Sequence, residues 1–135
     1  MTQGEYSFVF FRRAFAYAVH KQPPPGEYRS QPHYGAVHLP YAPTAHELAQ
    51  AGAVLDAAAR VCDGAALPLY ARVDLARASS ATDCSDFVLM ELELIEPHLY
   101  VPHDGADGAR AAASFADAVA AALAETQRER EREEA

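Results

Sequence analysis

Four short stretches of the chain are rich in apolar residues of the kinds that favour β-strands, and the last of them alternates clearly between apolar and polar positions. Residues 6–11 and 15–21 are rich in aromatic side chains and predict two strands joined by a hairpin turn at residues 12–14. Residues 67–75 and 87–95 predict two further strands. The segment between the two pairs is rich in proline: residues 23–26 predict an exposed loop, and residues 32–43 predict irregular structure.

Two longer stretches have the period of an α-helix. Residues 44–61 begin with Thr44, a good N-cap, and Glu47 completes a capping box three residues later. Asp63 and Gly64 are expected to end this helix. A second helix is predicted from about residue 108 to beyond residue 123, with an apolar stripe of Phe115, Val119 and Leu123.

The order of these elements predicts an α+β fold, in which two main helices pack on a mostly antiparallel sheet. A chain of 135 residues is long enough for one domain with a buried core. We assign residues 1–127 to this domain. Residues 128–135, in which Arg and Glu alternate, are assigned to a charged helical extension or tail.

Composition narrows the possible partners. The net charge of −8 argues against a nucleic-acid-binding protein, which needs a basic face for the phosphates. No stretch of the sequence is long and apolar enough to span a bilayer, so no membrane partner is expected. Cys62 and Cys84 lack the spacing of metal ligands and are interpreted as free thiols in a reducing cytosol, which predicts a cytoplasmic protein.

The fourth predicted strand carries the strongest sign of chemistry. Its alternation places Glu91 and Glu93 on one face, where two carboxylates repel each other unless a cation or open water lies between them. Arg72 and Asp74 share a face of the preceding strand. If the two strands pair, all four side chains meet, and the three carboxylates suit Mg²⁺ while the arginine suits a phosphoryl oxyanion. The alternative from spacing alone is the solvated polar face of an antiparallel sheet, with incidental Arg–Glu pairing.

The stretches YARVDLAR and FVLMELELIEPHLYV resemble the end of ATP-grasp ligases, particularly those similar to glutathione synthetase and cycloserine-forming ligase. In that family an Arg-x-Asp strand precedes a Glu-x-Asn or Glu-x-Glu strand. The resemblance implies that Asp74, Glu91 and Glu93 hold Mg²⁺ (or Mn²⁺) on the phosphates of ATP. It also implies that Arg72 steadies the transferred phosphoryl group and the acyl-phosphate formed from a small carboxylate substrate.

The front of the chain is similar to the same family. Glu5 matches a residue that meets the ribose of ATP, and Lys21 and Arg29 match basic groups that approach phosphate or a substrate carboxylate. Lys21 is the only lysine in the chain. Ala16-Tyr17 departs from the Ser-His of the family pattern, and Gly35-Ala36 departs from a Gly-Gly.

The resemblance implies the C-terminal, metal- and phosphate-binding portion of an ATP-dependent carboxylate–amine (or thiol) ligase. The substrate domain, the lid and the adenine hinge of such a ligase have no counterpart in this sequence, so we expect the chain to be inactive unless a lid-bearing chain completes it. The alternative is a degenerate domain that serves as a binding or dimerisation module, and a homodimer that buries residues 6–11 would support it.

Overall fold

The computed structural model describes residues 4–61, 68–78 and 86–135. In this part of the chain there are five strands, two helices and two short 3-10 turns, Pro32–Tyr34 and Val101–His103. The strands are β1 (Glu5–Phe11), β2 (Ala14–Gln22), β3 (Val37–Tyr41), β4 (Tyr70–Arg77) and β5 (Phe87–Glu93). The helices are α1 (Ala45–Val61) and α2 (Ala109–Glu133).

The strands form one antiparallel sheet in the order β3-β2-β1-β4-β5, with β1 at its centre. Because side chains alternate along β1, Phe8 and Phe10 pack towards α1, and Val9 and Phe11 pack towards α2. The two helices therefore cover opposite faces of the sheet. The α+β fold with two main helices on an antiparallel sheet, predicted from the sequence, is confirmed.

The turn between β1 and β2 is the predicted hairpin and consists of two residues. Arg12 and Arg13 both have positive φ angles, 50° and 68°, which is the geometry of a type I′ turn. Their side chains extend in different directions: Arg12 pairs with Glu125 of α2, and Arg13 pairs with Asp56 of α1. The turn thus links both helical layers to the central hairpin.

The start of α1 confirms the predicted capping box. The Thr44 amide donates to the Glu47 carboxylate (2.7 Å), and the Glu47 amide donates to the Thr44 hydroxyl (3.3 Å). Glu47 is buried and also accepts hydrogen bonds from Tyr41 and from Arg77 of β4. Burial opposes ionisation of Glu47, but these hydrogen bonds and the Arg77 charge outweigh it and hold its pKa below the ordinary value.

Two local predictions were wrong. Residues 32–43 were expected to be irregular, yet they contain β3, because Pro40 lies on an edge strand, where one missing amide hydrogen is tolerated. The stripe of Phe115, Val119 and Leu123 was wrong at one position: Phe115 packs against Phe11 of the sheet, but Leu123 is 61% exposed. The buried positions of α2 are small residues, Ala111 and Ala118, which allow its first half to approach the sheet while its second half extends into solvent.

Other predictions have mixed outcomes. Burial of residues 6–11 in a homodimer, which would have supported the binding-module alternative, is not seen, because β1 is the central strand and its side chains are buried within one chain; dimerisation itself stays a prediction. The proposed stop at Asp63 and Gly64, and both cysteines, lie outside the described residues. The boundary proposed between residues 127 and 128 falls within α2 and stays a prediction. No helix in the described part of the chain is long and apolar enough to cross a membrane.

Replacing Glu47 by Gln should lower the free energy of unfolding by about 2–3 kcal/mol at pH 7, because Arg77 loses its buried carboxylate partner. Glutamine can still complete the capping box, so the decrease in the free energy of unfolding reports the contribution of the Glu47 charge. The pKa of Glu47 is lowered on folding, and its ionic contribution is therefore lost as the pH falls through that pKa. Urea denaturation of the variant and the wild type should converge in acid. Glu129→Gln, on the exposed end of α2, is the control and should change stability by less than about 0.5 kcal/mol.

Candidate functional site

Charged side chains collect on the α2-facing side of the sheet, at the end of the strands beyond the apolar residues that α2 covers. The same face carries Val9, Tyr17 and Val19 nearer the helix. The charged cluster consists of Glu5 on β1, Lys21 on β2, Arg72 and Asp74 on β4, and Glu91 and Glu93 on β5. The predicted meeting of Arg72 and Asp74 with the two β5 glutamates is observed.

Asp74 lies at the centre of the charged cluster and is buried. Arg72 binds it through two parallel hydrogen bonds, from Nε to Oδ1 (2.9 Å) and from Nη2 to Oδ2 (3.0 Å). Lys21 Nζ approaches the same Oδ2 at 3.1 Å. Both oxygens of Asp74 are therefore occupied by the side chains of two cations.

Strand register places the remaining carboxylates around Arg72. Asp74 lies opposite Glu91, and Arg72 lies opposite Glu93. Nη2 of Arg72 reaches Glu93 at 2.8 Å and Glu91 at 3.3 Å. The register shifts by one residue just beyond this point, where Met90 is an extra residue on β5. This β-bulge interrupts the alternation predicted for the strand and lies beside the cluster, as bulges near functional sites often do.

Lys21 is held in its charged form. It is 4% exposed, and its ammonium group lies 2.7 Å from Glu5 as well as 3.1 Å from Asp74. Burial alone would favour the neutral amine, but the two carboxylates outweigh it and raise the pKa of Lys21 above the ordinary value. Arg72 has the same balance: burial opposes its charge, and its pKa is nevertheless raised by Asp74.

The β5 carboxylates form the outer, solvent-facing side of the charged cluster. The side chain of Glu91 is 54% exposed and that of Glu93 is 29% exposed. Burial, together with the nearby charges of Glu93 and Asp74, raises the pKa of Glu91. With every group ionised, four carboxylates face two cations, so the described cluster carries a net charge of minus two.

Tyr100 is a residue of the site that the sequence did not reveal. Its ring centroid lies 5.4 Å from the Arg72 guanidinium carbon and 5.7 Å from Lys21 Nζ, so it packs against both cations. Tyr100 has a left-handed backbone conformation (φ 53°), which no pattern in the sequence predicts. The loop before it is anchored on the sheet, because Arg72 donates to the His98 carbonyl (2.9 Å) and Tyr17 donates to the Leu99 carbonyl (2.6 Å).

Tyr17 also explains one departure from the family pattern. Its ring is buried under the loop, and burial and the nearby Asp104 raise the pKa of its hydroxyl to about 12. The hydroxyl therefore stays protonated and donates to the loop. In this chain, position 17 supports the loop that carries Tyr100.

A cavity of about 250 Å³ opens over the charged cluster. Its walls include Lys21, Ser30, Asp74, Glu91 and Tyr100. Arg29 is not among the described residues that line it. Arg29 instead pairs with Glu27 (2.5 Å) and stacks on Tyr34, with its guanidinium carbon 3.6 Å from the ring centroid. The structure therefore brings together six of the seven predicted site residues and places Arg29 on the neighbouring loop.

The cluster is not a preassembled metal-binding site. Within residues 4–61, 68–78 and 86–135, no group of three or more His, Cys, Asp or Glu side chains is arranged to hold a metal ion. The reason is visible at Asp74, whose oxygens are occupied by Arg72 and Lys21. Two partly exposed carboxylates and an unbalanced negative charge do suit a divalent cation at the outer side of the cluster.

Comparison with solved structures identifies the fold of the chain, whereas comparison with sequences finds no match. No protein-family model and no curated protein matches the chain. Among solved structures, the D-cycloserine synthetase DcsG superposes with a TM-score of 0.67 and 24% identity, over 90% of this chain and 38% of that one. The D-alanine–D-alanine ligase from Bacillus anthracis, complexed with ATP, superposes with a TM-score of 0.55 and 14% identity, over 98% of this chain and 41% of that one.

Both structures are ATP-grasp ligases, and this chain spans about two fifths of the length of each. The resemblance drawn from the two sequence stretches is thus matched by an independent comparison of structures. The described chain has the fold of a part of an ATP-grasp ligase.

Proposed function

We propose that this chain provides the metal- and phosphate-binding portion of an ATP-dependent carboxylate–amine (or thiol) ligase. The observation that carries the proposal is the charged cluster itself, an arginine and a lysine surrounded by four carboxylates at the open end of the sheet. The fold shared with a ligase complexed with ATP supports the choice of nucleotide. Activity requires the parts of such a ligase that lie outside this sequence.

The charge balance favours a divalent cation. A net charge of minus two in a half-buried cluster is costly, and the raised pKa of Glu91 reflects this crowding of carboxylates. One Mg²⁺ or Mn²⁺ would neutralise it and would also offset the charge of bound phosphates. Glu91 and Glu93 are assigned as ligands because they are the exposed members. Asp74 joins them when Lys21 or Arg72 turns towards a phosphate.

Arg72 is assigned the catalytic role. Its Nη2 group contacts both β5 glutamates and also donates to Asp74, whereas Nε donates to Asp74 and Nη1 to the His98 carbonyl. Neutralisation of the glutamates would release the N–H of Nη2 that they share, while the bonds to Asp74 and to the His98 carbonyl keep the guanidinium in place. The released N–H can then donate to an oxygen of a transferring phosphoryl group.

The remaining assignments follow the family resemblance, and they are supported by the position of both side chains at the cavity. Lys21 binds a phosphate, and Glu5, which pairs with it, accepts from the ribose hydroxyls. Arg29 would have to leave Glu27 to reach a ligand, and its role in binding phosphate or carboxylate stays a prediction. In the reaction, a carboxylate oxygen attacks the terminal phosphorus of ATP, ADP leaves, and an amine or thiol then displaces phosphate from the acyl-phosphate.

A second candidate is a binding or assembly module without activity. The observation in its favour is the edge strand β5, on which Val88, Leu89 and Met90 are all about half exposed. Sedimentation separates the two candidates. A monodisperse monomer over a wide range of concentrations would count against assembly through this edge.

The direct test of the metal assignment is Mn²⁺ binding, followed by electron paramagnetic resonance. The double variant Glu91→Gln with Glu93→Gln should bind Mn²⁺ about tenfold more weakly than the wild type, because it removes both exposed ligands. Glu129→Gln with Glu131→Gln removes the same charge from the exposed end of α2 and serves as the matched control. Equal affinities in the two double variants would refute the assignment.

A second test uses stability in the absence of metal. The pKa of Glu91 is raised on folding, so the folded state binds this proton more tightly than the unfolded state. Stability due to Glu91 therefore falls as the pH rises from about its ordinary value of 4.5 through the raised value. Glu91→Gln removes this loss and should be more stable than the wild type at pH 7 in a metal chelator.

Thermal unfolding of both proteins between pH 4 and pH 8 measures the difference, which should grow with pH and then level off. Glu129→Gln should show no such growth. A Glu91→Gln variant less stable than the wild type at pH 7 would contradict the crowding of carboxylates that supports the cation.

A further inference from the structure

We propose that the Ser30 hydroxyl binds an anionic oxygen of the ligand in the cavity, a phosphoryl or carboxylate oxygen that accepts its proton. The proposal rests on the function proposed above and adds a binding residue to the same site. Ser30 is 4% exposed and lines the cavity, but its hydroxyl has no hydrogen-bond partner among the described residues. A buried hydroxyl has lost its hydrogen bonds to water, and leaving it without a new partner costs free energy. Buried hydroxyls are therefore rarely unpaired.

The position of Ser30 is set by the strand at the edge of the sheet. His38 on β3 contacts the Ser30 carbonyl through its ring Nε2 (3.1 Å), so the main chain of Ser30 is anchored while its hydroxyl is not. His38 lies opposite Lys21 in the β2–β3 pairing. Ser30 is thus held on the side of the cavity where Lys21 lies, across the sheet from the β5 carboxylates.

This arrangement identifies the ligand atom by its chemistry. Lys21 and Ser30 both line the cavity, and their side chains end in an ammonium group and a hydroxyl group. An N–H donor and an O–H donor that bind the same ligand suit an oxyanion. A cation held by Glu91 and Glu93 would lie on the opposite side of the same oxyanion. Lys21 and Ser30 would then provide hydrogen bonds to the oxyanion on the side away from the cation.

Ser7 provides a matched control for the experiment. It is also fully buried and its hydroxyl is also without a partner among the described residues, but it is not among the described residues that line the cavity. Ser30→Ala and Ser7→Ala each remove one unpaired hydroxyl from the interior. Neither should lower the free energy of unfolding, because no hydrogen bond within the described chain is lost.

Binding should separate the two variants. In calorimetric titrations of the chain with tripolyphosphate in Mg²⁺, Ser30→Ala should bind about tenfold more weakly than the wild type, as expected for a hydrogen bond to a charged acceptor. Ser7→Ala should bind like the wild type. A parallel titration with acetate distinguishes a carboxylate oxygen from a phosphoryl oxygen as the acceptor, according to which ligand loses affinity in Ser30→Ala.

Three outcomes would overturn the assignment. If Ser30→Ala binds both ligands like the wild type, Ser30 has no role in binding. The proposed function is then unaffected, provided that Mn²⁺ binding still requires Glu91 and Glu93. An equal loss in Ser7→Ala, whose residue lies opposite Asp74 in the β1–β4 pairing, would show that the effect is not specific to Ser30. A wild-type chain that binds neither Mn²⁺ nor either anion would contradict both the proposed function and this role of Ser30.

Discussion

The carboxylate of Asp74 balances two buried cations, and the site depends on this arrangement. Arg72 and Lys21 are each about 4% exposed, and removing an isolated charge from water to this extent would be prohibitive without a partner at hydrogen-bond distance. Asp74 can serve both because β1 and β4 are neighbours and place β2 within reach of β4. The outer glutamates, the Tyr100 ring and the cavity are all arranged around this pair of contacts.

The cluster also shows a balance between stability and readiness to bind. Four carboxylates around two cations leave an excess of negative charge that a fold selected only for stability would avoid. Each of the three guanidinium nitrogens of Arg72 nevertheless has a hydrogen-bond partner within the chain, so the resting site is internally paired. Ligands must therefore exchange partners with the protein, and the cost of that exchange is part of their affinity.

Alternation along β4 and β5 was enough to predict that Arg72, Asp74, Glu91 and Glu93 share a surface, because strand pairing between neighbours in sequence follows simple rules. Glu5 and Lys21 came from the family resemblance alone, since their approach to Asp74 depends on the distant pairing of β1 with β4. β3 was not predicted because it contains Pro40, a residue that is unfavourable in most strands. The bulge at Met90 was not predicted because the sequence around it alternates regularly. Tyr100 and Ser30 could not be predicted, because a left-handed residue and an unpaired hydroxyl are properties of tertiary structure.

The central pairing of β1 with β4 has a consequence for folding. The hairpins β1–β2 and β4–β5 each join strands close in sequence, whereas β1 and β4 are separated by the whole of β2, β3 and α1. Local hairpins form early and cheaply, and the distant pairing costs the larger loss of chain entropy. The contact between Lys21 and Asp74 joins the β1–β2 hairpin to the β4–β5 hairpin and forms only when β1 and β4 have paired. A molecule with only one half ordered therefore has an incomplete site, and a ligand that contacts both halves selects for the fully assembled sheet.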